Sequence, residues 1–163
     1  MRLVLHHLCS MHPKLRGHPV DLARFGGLAL QRAGHKSPTA AAVVHDGLQA
    51  VANIEWLLED TSALDVLDRK RVTEQGAEAV ALTYVNAKAG WVVKRCLQQG
   101  EYADWLMETP TGSMAVEVSG TAAGDERARL EEKKRDVARC SLPVERLAVV
   151  VAFERPSIMA GSV

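Results

Sequence analysis

The feature that most constrains the fold is an unbroken apolar run near the end of the chain, from Leu147 to Phe153. A run of this kind, without polar interruption, is typical of a strand that is buried on both faces. Such a strand belongs in the middle of a sheet. We therefore predict that residues 146–154 form a central strand.

The chain before this run predicts helices and strands in a definite order. The predicted elements are a helix over Asp68 to Lys88, strands over Trp91 to Cys96, Ala103 to Thr109 and Met114 to Thr121, and a charged surface helix over Asp125 to Arg139. Ala89-Gly90 supplies a stop for the first helix, and Asp125 supplies a cap for the second. We therefore predict that residues 65–156 form an αβββαβ core with a mixed sheet, which belongs to the α/β class.

We predict that residues 1–64 form a β-rich extension packed on this core. Strand candidates are Leu28 to Ala33, Ala40 to His45 and Leu48 to Trp56, and Asp46-Gly47 between the last two is a strong hairpin signal. The alternative is a helix that begins at Ser37-Pro38 and continues to Glu59. We favour strands in a small antiparallel meander, and we expect residues 157–163 to form a flexible tail.

Composition excludes several classes of protein. At 163 residues the chain fits one domain, and its 20 basic and 20 acidic residues leave no global basic field for indiscriminate nucleic-acid binding. The three cysteines are few and widely spaced, so we expect a cytoplasmic protein without a disulfide framework. The first twelve residues are too short to form a membrane span, and we expect no membrane partner.

Two carboxylates are predicted to meet on adjacent strands. If Pro110 to Ser113 form a four-residue hairpin loop, Asp104 pairs with Ser119, and Glu117 lies on the same face as both because side chains alternate. Converging carboxylates repel each other unless a cation lies between them, and hard oxygen ligands suit Mg²⁺ or Mn²⁺. The pattern predicts a divalent metal site.

This arrangement resembles the PD-(D/E)xK, or restriction-endonuclease-like, nuclease superfamily. The resemblance rests on the order of elements, on Ala-Asp-Trp-Leu-Met-Glu in the second strand and on Met-Ala-Val-Glu-Val-Ser-Gly in the third. It implies a Mg²⁺-dependent hydrolase that cleaves DNA or RNA, with Asp104 and Glu117 as metal ligands. It also implies a further acid from the first helix, for which Glu78 and Glu74 are the candidates.

The sequence departs from the family pattern at two positions. Ala103 replaces the proline that precedes the first acid, and Ser119 stands at the catalytic position where the family has a lysine. The resemblance implies that this lysine orients or activates the attacking water. Its replacement is expected from Lys133 or Lys134 on the second helix, or from Lys94 on the first strand.

A reading without catalysis stays open. Both acids are also compatible with a solvated sheet face, and the mixed charges of the second helix are typical of an exposed surface, although its basic side suits a phosphate backbone. The alternative function is an inactive nuclease-fold module that binds nucleic acid or protein. A homodimer or a separate partner protein is left open.

Overall fold

The fold is one mixed eight-stranded β-sheet with four α-helices, seen in a computed structural model that describes residues 1–163. The elements in chain order are β1 (Arg2–Val4), α1 (Leu8–Met11), α2 (Leu22–Arg32), β2 (Thr39–His45), β3 (Leu48–Glu55), α3 (Arg69–Ala89), β4 (Val92–Cys96), β5 (Trp105–Thr109), β6 (Gly112–Thr121), α4 (Glu126–Ala138), β7 (Glu145–Ala152) and β8 (Ser157–Ser162). Short 3₁₀ turns cover Leu5–His7, Pro13–Gly17 and Thr61–Asp65. The class is α/β, as the sequence predicts. None of the helices combines the length and apolar character needed to cross a membrane.

The apolar run forms β7, close to the middle of the sheet. The strands lie in the order β1-β3-β2-β8-β7-β6-β5-β4. β7 is parallel to β6 and antiparallel to β8, and Leu147, Val149 and Val150 have no exposed surface. A strand with neighbours on both sides confirms the prediction for this segment.

Helices α3 and α4 cover opposite faces of the central strands. Val116 and Val118 of β6 belong to the main core, to which α3 also contributes. Helix α3 lies so close to β6 that a Cβ atom on Gly120 would collide with the carbonyl oxygen of Thr73. Leu130 of α4 belongs to a smaller core on the other face. The odd-numbered residues of β6 therefore face α4.

Both helices of the predicted core begin where the sequence predicts. The Asp68 carboxylate accepts a hydrogen bond from the Arg71 N–H at 2.9 Å, and Asp125 accepts one from the Ala128 N–H at the same distance. Gly90 ends α3 with φ at 69°, a left-handed conformation in which glycine has no Cβ penalty. These caps confirm the predicted boundaries to within one or two residues.

The predicted hairpin in the N-terminal region is present. Strands β2 and β3 pair along their full length around a turn in which Asp46 has φ at 49° and Gly47 has φ at 81°. Two successive positive φ angles are characteristic of the tight hairpin turn that Asp-Gly favours. The alternative helix that begins at Ser37-Pro38 does not form.

The predicted strand over Leu28 to Ala33 is wrong, because these residues belong to helix α2. Asp21 caps this helix by accepting the Arg24 N–H at 3.2 Å. Gly26 allows close packing on α3, since a Cβ there would lie 3.1 Å from the Ala79 Cβ atom. A short apolar run does not distinguish a strand from a buried helix, and the helix packing decides the outcome here.

The prediction of a flexible tail over residues 157–163 is also wrong. Residues 157–162 form β8, which pairs with β2 on one side and β7 on the other, and Ile158 and Ala160 are buried. The β2–β3 hairpin, with its seven paired positions, is thus connected through β8 to the core strands. The N-terminal region and the predicted core share a single continuous sheet.

Candidate active site

The two predicted acids lie on neighbouring strands, in a register that differs from the predicted one. Thr109 pairs with Gly112 across a two-residue turn, and Trp105 pairs with Val116. The predicted pairing is therefore displaced by two residues. Glu117, an odd-numbered residue of β6, projects toward α4, and Asp104 lies beside it just before β5 begins. The backbone N–H of Asp104 donates at 3.0 Å to the carbonyl of Val116, the residue that pairs with Trp105, so the ladder is irregular where β5 begins.

The carboxyl groups of Asp104, which is half-buried, and Glu117, which is buried, form an interacting pair. Burial, together with the negative charge of Asp104, raises the pKa of Glu117 to about 7. Burial also raises the pKa of Asp104, although the Val118 N–H donates to Asp104 Oδ2 at 2.7 Å and opposes this effect. The two groups lie within hydrogen-bonding reach when one of them is protonated. A cation beside the pair would therefore stabilise its ionised form.

Lys133 of α4 is the cation in contact with this pair. Its ammonium lies 2.7 Å from Glu117 Oε1 and 3.2 Å from Asp136 Oδ2, and its side chain is only 16% exposed. Burial lowers the pKa of Lys133, but the hydrogen bonds and charges of Glu117 and Asp136 outweigh it, so the pKa is raised. Lys133 therefore carries a positive charge at neutral pH.

Ser119, at the position of the family lysine, contacts an arginine. Arg129 Nε donates to Ser119 Oγ at 2.9 Å, and Arg129 also pairs with Glu132 at 3.0 Å. Arg129 and Lys133 are four residues apart and hence lie on one face of α4, directed at Ser119 and Glu117 respectively. From sequence, Arg129 was only part of the basic side of α4, and its spacing from Lys133 was the signal for a place beside the acids.

Glu78 approaches the pair from α3 and is more deeply buried than Glu74. Burial raises the pKa of Glu78 to about 8, and the nearby charges of Asp104, Glu74 and Glu117 act in the same direction. The buried Trp105 indole N–H faces Glu78 and opposes the shift, but it has no hydrogen-bond partner of good geometry. Glu78 and Asp104 both line a cavity of about 230 Å³.

The remaining candidates lie away from the acids. Glu74 is exposed and pairs with Lys70 at 3.7 Å. Lys134 pairs with Glu131 at 3.7 Å, and its side chain lies against Gly161 of β8. Lys94 is exposed at an irregularity in the pairing of β4 with β5. Of the predicted residues, Glu78, Asp104, Glu117 and Lys133 come together, and Ser119 lies beside them.

These side chains are not arranged as a finished metal centre. No group of three or more His, Cys, Asp or Glu side chains has ligand geometry in the structure. The cation that contacts Glu117 is the Lys133 ammonium. Comparison of the chain with protein families, with curated proteins and with solved structures finds no match.

Proposed function

We propose that the chain is a metal-dependent phosphodiesterase of the PD-(D/E)xK nuclease type, with Asp104 and Glu117 as ligands of Mg²⁺ or Mn²⁺. The observation that carries the proposal is the contact of Lys133 with Glu117 beside a second carboxyl group, that of Asp104. It supplies, from α4, the amine that the third strand lacks at Ser119. The element order α3-β4-β5-β6-α4-β7 and the adjacent strand order β4-β5-β6-β7 support the same class.

The charges of the site fit a divalent cation. One buried carboxyl group, that of Glu117, and two half-buried ones, those of Glu78 and Asp104, lie near one another, and the pKa of each is raised. Raised carboxyl pKa values mean that the site favours added positive charge, and oxygen donors suit Mg²⁺ and Mn²⁺. A bound ion would supply Lewis-acid activation of water and of the phosphate. Glu78 is a candidate third ligand, whereas Glu74 is held by Lys70 at the surface.

The side chains of the site have separable tasks. Lys133 is positioned to donate to a phosphate oxygen and to stabilise the charge that develops when the phosphodiester bond breaks. If Glu78 is not a metal ligand, its pKa of about 8 suits it to accept a proton from water or to return one to the leaving group. Free thiols at Cys9, Cys96 and Cys140 are compatible with the cytoplasmic location that we propose.

A second candidate is an inactive module that binds nucleic acid or another protein through the same surface. Ser119 at the lysine position favours this candidate. The contact of Glu117 with the Lys133 ammonium, and not with a set of converging metal ligands, also favours it. This candidate predicts binding without hydrolysis.

Cleavage of labelled oligonucleotides distinguishes the two candidates. Fluorescent DNA and RNA are incubated with purified protein in Mg²⁺, Mn²⁺, Ca²⁺ or EDTA. We expect slow, Mn²⁺-favoured cleavage of DNA that disappears in Asp104→Ala and in Glu117→Ala while both variants remain folded. Glu131→Ala, which removes an exposed acid of α4, is the matched control and should keep full activity. Absence of cleavage and of Mn²⁺ binding in calorimetry would favour the inactive module.

A further inference from the structure

A second, larger cavity lies beyond the carboxyl ends of β6 and β7, next to the start of α3. Its volume is about 650 Å³, and most of its charged lining residues are cationic. Four basic side chains face two acidic ones, and these six are Arg32, Arg69, Lys70, Arg129, Glu74 and Glu154. In an open-sided α/β sheet the region beyond the carboxyl ends of the strands is the usual place for a ligand.

Two of these cations have no carboxylate partner. Arg32 donates to Thr73 Oγ1 at 2.5 Å and to the Arg69 carbonyl at 3.1 Å, but neither Arg32 nor Arg69 forms an ion pair. Burial and the positive charge of Arg69 lower the pKa of Arg32. Neutral oxygens thus orient Arg32 without neutralising it. Two uncompensated guanidinium groups in a concave surface are matched by an anion, and their planar donor arrangement suits phosphate oxygens.

Arg129 connects this cavity to the candidate active site. It lines the cavity and also donates to Ser119, two residues from Glu117 on the same strand face. Thr121 at the cavity is four residues from Glu117, a distance of about 13 Å along an extended strand. Phosphates of one nucleic-acid strand repeat every ~3.4 Å along a helix axis. A strand a few nucleotides long therefore spans both places.

We propose that Arg32 and Arg69 bind a phosphodiester group of the nucleic-acid substrate, a few nucleotides from the bond that is cleaved. This inference rests on the proposed function, because it assigns where the nuclease substrate lies between the cavity and the candidate active site. Arg32 is the pre-oriented donor and Arg69 the exposed one. The neighbouring acids Glu74 and Glu154 border the anion and limit it to one position.

The test is the affinity of a fluorescent oligonucleotide for the whole chain in Ca²⁺, measured by anisotropy from low to high salt. Arg69→Gln and Arg32→Gln should each weaken binding by about tenfold, as expected for loss of a charged hydrogen bond. Each should also reduce the salt slope by about one phosphate contact. Lys88→Gln, which removes one positive charge about 30 Å away at the other end of α3, should change neither.

The outcomes separate this proposal from the proposed function. If the wild type binds and cleaves the oligonucleotide, but Arg69→Gln and Arg32→Gln bind like Lys88→Gln, the phosphodiester site is wrong and the nuclease assignment survives. If inorganic phosphate binding depends on both arginines and oligonucleotide binding does not, the cavity is a free-anion site and the proposal is overturned. A wild type that binds no oligonucleotide overturns both. Thermal unfolding of both variants detects a folding defect, and Arg69→Gln, whose side chain is exposed, still tests the proposal if Arg32→Gln is destabilised.

Discussion

At the residue scale, the proposed function depends most on Lys133, the ammonium that contacts Glu117. The strand order predicted from sequence brings both acids onto neighbouring segments, although the observed register is displaced by two residues from the predicted one. Sequence patterns did not distinguish Lys133 from Lys134, because that choice depends on the rotation of α4 about its axis. In the structure Lys133 contacts Glu117, whereas Lys134 lies over β8.

Replacing this lysine should slow cleavage strongly. We expect Lys133→Met to lose about 10²- to 10³-fold in the single-turnover rate with Mn²⁺, as for one lost transition-state donor. Lys134→Met is the matched control and should retain the wild-type rate. Adding Ser119→Lys to Lys133→Met should recover part of the loss, because residues 119 and 117 face the same side. Equal rates for the two single variants would contradict the role of Lys133.

Glu78 should make the folded state less stable as the pH rises. Its folded pKa of about 8 exceeds the ordinary value of 4.5, so the folded protein holds this proton more tightly than the unfolded chain. That stabilisation is complete below about pH 4.5 and is lost as the pH rises through 8. Glu78→Gln should therefore be more stable than the wild type at pH 9, by roughly 2–4 kcal/mol.

Urea unfolding at pH 5 and pH 9 in EDTA measures this effect. Glu74→Gln, one turn away on the same helix but exposed, is the control and should follow the wild type. A Glu78→Gln variant that loses as much stability as the wild type between the two pH values would show that Glu78 is not the group responsible.

At the scale of elements, the helix caps and the alternation of side chains were readable from sequence, and the packing of α2 was not. Asp68, Asp125 and Gly90 determine their helix ends through local hydrogen bonds and local backbone geometry. Helix α2 depends on its fit against α3, which involves residues about 50 positions away. Contacts at such separations leave no periodic signal in a single sequence.

The close contact of α3 with β6 predicts a large effect from one methyl group. A Cβ at residue 120 would collide with the backbone carbonyl of Thr73, which cannot move without displacing the helix. We expect Gly120→Ala to lower the free energy of unfolding by about 1–3 kcal/mol or more. Gly17→Ala is the control, because nothing lies within 4 Å of its Cβ position. Similar denaturation midpoints for the two variants would contradict this packing.

At the scale of the whole molecule, β8 joins the predicted N-terminal extension, residues 1–64, to the predicted core, residues 65–156. The sequence of this segment, with its Ser, Ala and Gly residues, is typical of a flexible chain end. Only the pairing of β8 with both β2 and β7 shows that it is an interior strand. Because β8 lies inside the sheet, its backbone groups pair with β2 on one side and β7 on the other. The sheet depends on the last residues of the chain.

Truncation tests this arrangement. A chain ending at Pro156 should lose cooperative unfolding and near-ultraviolet circular dichroism, because β2 and β7 would each be left with an unpaired edge. Removal of Val163 alone, a half-exposed residue beyond β8, should leave both signals intact. A chain truncated at Pro156 that unfolds as cooperatively as the full chain would show that β8 is dispensable.

The most direct test of the central claim is an anomalous difference map from crystals soaked in Mn²⁺. We predict a peak between Asp104 and Glu117, with carboxylate oxygens at roughly 2.0–2.6 Å from the ion, and with Lys133 displaced from Glu117. Crystals of Glu117→Gln, soaked in the same way, should show no such peak. A map without a peak there, with the Lys133 ammonium still in contact with Glu117, would contradict the metal site and the proposed phosphodiesterase.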